Sequence, residues 1–94
     1  MKEVFNLRLG ELITLVHQLD PNLKMAFDTT PMAPISGMSV SEGRLLLHAA
    51  TQTPLTVERF RQHANRFNQQ LIVFESSGKR LYGFRQSKQW LLFK

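Results

Sequence analysis

The sequence predicts one α+β domain: two helices packed on one face of a mostly antiparallel sheet, with elements in the order α-β-β-β-α-β-β-β. Three observations lead there. Two stretches repeat their apolar residues with helical period, most of the remainder alternates with period two, and the links between predicted strands are too short for crossovers. A chain of 94 residues suits a single domain spanning 1–94, because two separate cores would each be too small to hold together. A fold of this size buries only about 60–65% of the surface its unfolded chain exposes, so a homodimer is an expectation from the outset.

Leu9, Leu12, Ile13, Val16 and Leu19 mark one helical face, and Asp20-Pro21-Asn22 halts the pattern, which predicts a helix over 8–19. Leu23, Met25 and Phe27 then alternate with Lys24, Ala26 and Asp28 as a half-buried strand. Residues 29–37 hold Pro31, Pro34 and Gly37 and read as a loop. Residues 38–49 read as a hairpin turning at Glu42-Gly43. Thr56 is suited to cap a second helix over 56–68, with Leu55, Phe60, Ala64 and Phe67 on its buried side. The remainder, 71–75, 80–86 and 90–93, reads as a three-strand meander. An offset of 48 superposes Leu7 on Leu55, Leu9 on Val57, Leu12 on Phe60, Leu23 on Leu71 and Met25 on Val73. A duplicated unit accounts for that match, and so do any two amphipathic helices each followed by a strand.

Composition is that of an ordinary globular protein, 43% hydrophobic and 20% charged. The absence of cysteine excludes disulfides, thiolate metal sites and cysteine nucleophiles, and fits a reducing compartment. With Glu3 and Glu11 in the first fifteen residues and no long apolar run, a signal peptide or membrane span is not expected, and a cytoplasmic location is. The net charge of +5 is unevenly spread. Residues 1–47 carry four cations against five carboxylates, and residues 48–94 carry eight against two. Such asymmetry suggests a polyanion or an acidic partner surface, or simply a solubilising one.

Motifs for chemistry are missing. His17, His48 and His63 fall on three different predicted elements without patterned acids, so no metal is expected. Gly37-Met38-Ser39-Val40-Ser41 lacks the second glycine of a nucleophile elbow, the five glycines are dispersed, and no carboxylate pair is placed for acid-base work. Neither an enzyme nor a cofactor is expected.

The densest stretch runs from Lys79 to Trp90. On a regular strand Arg80, Tyr82, Phe84 and Gln86 share a face, either stacking bases beside cations or packing as core under the helices. Tyr82-Gly83-Phe84 after a basic residue resembles the aromatic signature strand of RNA-recognition-motif domains over about eight residues. Leu81 stands there in place of glycine and Ser87 in place of an aromatic, and the order of elements differs, so no residue roles are carried over. Leu9-Gly10-Glu11-Leu12-Ile13 followed by Leu19-Asp20-Pro21 is similar to the start of various small bacterial and phage proteins, which implies no activity.

Two functions are therefore expected. The first is a non-enzymatic protein-interaction module, self-associating through the C-terminal strands or through Met32, Ile35 and Met38. The alternative is a basic accessory module that binds nucleic acid, or another acidic partner, through Arg59, Arg61, Arg66, Lys79, Arg80, Tyr82, Arg85, Lys88 and Trp90.

Overall fold

The computed structural model describes residues 7–49 and 53–94; Lys2 and Glu3, counted in the charge balance, lie outside them. The elements are α1 (Leu9–Val16), β1 (Lys24–Phe27), β2 (Ala33–Ser41), β3 (Arg44–Ala49), α2 (Val57–Ala64), β4 (Ile72–Glu75), β5 (Phe84–Ser87) and β6 (Trp90–Phe93). The fold is α+β. Both helices are shorter than the periodicity predicts, because each continues as a turn: the Leu19 N–H donates to Val16 and the Phe67 N–H to Ala64, both at 3.0 Å. These are i to i+3 bonds, which keep Leu19 and Phe67 near the buried side after the helix has ended. The Thr56 hydroxyl accepts the Arg59 N–H at 3.2 Å and caps α2.

The six strands form one sheet in the order β4-β3-β2-β1-β6-β5. It is mixed, which corrects the mostly antiparallel expectation. β3 and β4 are parallel, and so are β1 and β6; the other neighbours are antiparallel. The stretch between β3 and β4 contains α2 and is long enough for a crossover. The meander is kept in divided form, since the start of its middle strand, residues 79–81, pairs antiparallel with β4 and only its later part, β5, pairs with β6, while β4 and β5 stand at opposite ends of the strand order. The loop expected over 29–37 is shorter, because β2 begins at Ala33. Pro34 is tolerated there because β2 pairs with β1 at only two positions, Ala26 with Pro34 and Phe27 with Ala33, before the strands part.

The sheet also closes on itself. Residues 79–81 run beside β4, with Arg80 opposite Phe74 and the Leu81 N–H donating to Val73. The same stretch of chain then joins β6, where the Tyr82 N–H donates to Lys94 at 2.8 Å and Phe84 pairs with Phe93. The interior is filled by Met25, Phe27, Ile35, Leu45, Leu47, Val73, Leu91 and Phe93. Leu9, Leu12 and Val16 of α1 and Val57, Phe60 and Ala64 of α2 belong to the same cluster, so both helices cover that face.

The two halves are built alike. The Leu9 N–H donates to Leu71 and the Val73 N–H to Leu7; at an offset of 48, the Val57 N–H donates to Leu23 and the Met25 N–H to Leu55. Gly10 bonds to Gln69 as Glu58 bonds to Pro21, and Arg8 bridges Ile72 as Thr56 bridges Lys24. The hairpins match with two residues fewer in the second half: Ser41 opposite Arg44 corresponds to Ser87 opposite Trp90, and Met38 opposite Leu47 corresponds to Phe84 opposite Phe93. Two amphipathic helices alone would not reproduce these bonds, so the offset read from the sequence is a structural repeat with internal twofold character.

The β2–β3 turn is formed by Glu42 and Gly43, with φ of 51° and 76°. Two positive φ values in a two-residue hairpin favour Asn-Gly, since a glutamate side chain crowds its own backbone in the left-handed region. Glu42→Asn is expected to raise the unfolding free energy by about 0.5–1 kcal/mol, read from urea denaturation.

Candidate functional site

The residues expected to form one basic surface are distributed over separate parts of the molecule. Arg59 and Arg61 lie on α2 and Arg66 just beyond it, in the helical layer, where an Arg61 Nη is 2.9 Å from His17 Nδ1. Arg85 is on β5, where its Nε and an Nη meet the Asp28 carboxylate at 2.9 and 3.2 Å. Lys88 is in the β5–β6 turn, and Trp90 opens β6 beneath the Lys24 ammonium, 5.7 Å from the ring centroid. Lys79 and Arg80 run along the edge of β4.

Tyr82 and Phe84 do not share a face. Tyr82 is 61% exposed, whereas Phe84 packs on the core with its ring 5.6 Å from that of Phe93. Leu81 and Phe84 both point inward, so one extra residue at 82–83 shifts the alternation. Ile35 and Met38 do the same across the register shift in β2. Of the residues proposed as a protein interface, Ile35 is therefore core at 0% exposure, because it occupies the inward position before that shift. Met38 is half-buried against the core and Met32 is exposed.

The structure assembles a different cationic cluster on the outer wall of β3 and β4. Strand alternation sends Val73 inward, so Ile72 and Phe74 face out. Arg8 lies opposite Ile72 on one side and Arg44 on the other; in the next outward row Arg80 and Leu46 flank Phe74. Three arginines from distant stretches of chain thus surround two apolar side chains. The Arg44 and Arg80 guanidiniums lie 4.7 and 5.8 Å from the Phe74 centroid, and the ring is 8% exposed beneath them. Glu11 accepts the backbone N–H of Arg8 at 3.3 Å, and Gln70 faces one Arg8 Nη at 3.5 Å. Among the described residues the only ion pair is Arg85 with Asp28, so no carboxylate is paired with these three arginines. Arg8 and Arg44 were not among the sequence candidates. Nothing in their local patterns brings them together, because the cluster depends on the parallel pairing of β3 and β4.

Ser39 Oγ and His48 Nε2 are 2.6 Å apart on neighbouring strands. A cleft of about 290 Å³ between β2 and α2 is lined by Ser36, Gly37, Met38, Leu55, His63 and Phe67, and does not include that pair. Among the described residues no three histidine or carboxylate side chains gather as a metal site, and no helix is long and apolar enough to cross a membrane. No known protein family, curated protein or solved structure matches the chain.

The hydrogen bond from Arg85 holds the Asp28 carboxyl below its ordinary value, opposed by partial desolvation and assisted by the charges of Arg85 and Lys94. The Arg85 pKa is raised in return. A lowered folded pKa means that the stabilisation from the pair is complete above the ordinary value of 3.8 and is lost as pH falls through the lowered one. Since both partners reach solvent, the contribution is small and screened by salt. In an NMR titration Asp28 should ionise below 3.8, and Arg85→Gln should move its midpoint upward. An unchanged midpoint would dissolve the pair.

Proposed function

We propose that this is a non-catalytic binding domain that holds nucleic acid by its phosphates on the wall formed by Arg8, Arg44 and Arg80. The observation that carries this reading is three arginines in two adjacent rows of one sheet wall, none in an ion pair among the described residues, with the guanidiniums of Arg44 and Arg80 over the Phe74 ring. A guanidinium stacked on a ring is held in place while its N–H edge remains free for a phosphate oxygen, the geometry that arginine serves better than lysine. Lys79 adds a cation next to Arg80, and the net charge of +5 assists long-range attraction. The contact thus moves away from the C-terminal helix, where Arg59, Arg61 and Arg66 belong to the opposite layer. A cytoplasmic setting fits such a ligand and the lack of cysteine.

A self-associating interaction module is the second reading, favoured by the exposure of Leu15, Met32, Val40 and Tyr82. Light scattering that reports a monomer at every concentration would remove it.

Retention on single- and double-stranded nucleic acid at low salt tests the first reading. Affinity should fall steeply with salt, and the Arg44→Ala, Arg80→Ala double variant should lower the log-log slope by roughly 1.4–1.8, at about 0.7–0.9 per phosphate contact. Arg59→Ala with Arg66→Ala should leave the slope unchanged. A flat salt response in the native protein would exclude the reading.

A further inference from the structure

The internal repeat puts a second ring-and-cation pair at the place equivalent to the arginine wall. Trp90 stands where Arg44 stands in the other half, each directly after its hairpin turn, and Lys24 stands where Ile72 does. Cation and ring have exchanged strands: in the first wall the cation is on β3 and the ring on β4, in the second the ring is on β6 and the cation on β1. Exposure also differs. Phe74 is covered from two sides by guanidiniums, whereas Trp90 is half-exposed and has a single ammonium at 5.7 Å. Lys24 also lines a cleft of about 440 Å³, together with Asn22, Gln86, Lys88 and Gln89, and Trp90 stands outside that lining, directly after Gln89 and paired with Lys24.

We propose that Trp90 and this cleft form a second nucleic-acid station that takes an unpaired base, so that one strand is gripped at two points related by the internal twofold. The inference rests on the nucleic-acid reading of the arginine wall. The half-exposed indole supplies a stacking surface that accepts any base, and the amides of Asn22, Gln86 and Gln89 both donate and accept, as a base edge requires. Lys24 and Lys88, neither in an ion pair among the described residues, neutralise the flanking phosphates. Asp20 also lines the cleft, but one of its carboxylate oxygens accepts the Asn22 N–H at 2.9 Å and closes the local turn. A base held here must be unpaired, so the station selects single strands, which the arginine wall alone does not.

Trp90 is the only tryptophan, so the intact protein reports on the site. Oligothymidylate should quench Trp90 fluorescence at low salt, added salt should restore it, and a duplex should quench little. Trp90→Leu should weaken single-strand retention at least fivefold, about the effect of losing one stacked base, with duplex retention unchanged. Lys88→Asn tests the station without disturbing the indole, and suits the left-handed backbone at φ 56°. It should weaken single-strand binding severalfold. Retention that depends on Arg44 and Arg80 without Trp90 quenching, or equal quenching by duplex, would overturn the second station and leave the first. Failure to retain any nucleic acid would overturn both.

Discussion

The reciprocal hydrogen bonding between the segment before each helix and the strand after the other helix organises the molecule. Leu7 and Leu9 bond to β4 and its approach, and Leu55 and Val57 bond to β1 and its approach. Each half therefore completes its neighbour's sheet, and backbone groups that a strand edge would otherwise expose are satisfied within the chain. The parting of β2 from β1 leaves room for Leu55, whose N–H donates to Ile35 while its carbonyl accepts from Met25. This exchange aims both helices at one core, since α1 and α2 each start from the residue that has just paired.

The outer walls follow from the same constraint. Arg8 belongs to the segment that crosses to β4, which is why it reaches Ile72 and the face that also carries Arg44 and Arg80. Thr56 occupies the corresponding place beside Lys24 and Trp90. One backbone plan thus presents two walls with different side chains, a covered ring among arginines and an open ring beside a lysine. A repeat that keeps its buried positions apolar leaves its outward positions free to diverge, because packing constrains only the inward ones.

Much of the fold was legible in the residues. Leu9, Leu12 and Val16, like Val57, Phe60 and Ala64, are buried because their spacing can face only one way on a helix. Met25 and Phe27 join the core as a period of two requires, but the strand is not half-buried, because Ala26 between them is covered on the other face, as Leu92 is between Leu91 and Phe93. What misled was continuity. Residues 80–86 look like an uninterrupted strand, yet the extra residue at 82–83 turns Phe84 inward and leaves Tyr82 outside. Pro34 suggested a loop because a proline is barred from a fully paired strand, and the parting of β1 and β2 was not visible in the sequence.

Local periodicity determined the helices, most strands, the α+β class and the identity of most of the core, since those depend on side chains a few residues apart. The tertiary structure alone decided the parallel pairings, the closure of the sheet and the grouping of cations. Arg8, Arg44 and Arg80 are separated by 36 residues each time and meet only because two strands pair in parallel and a helix-leading segment crosses to join them. Strand order is set by backbone hydrogen bonds that any residue except proline can make, so it leaves little trace in residue types.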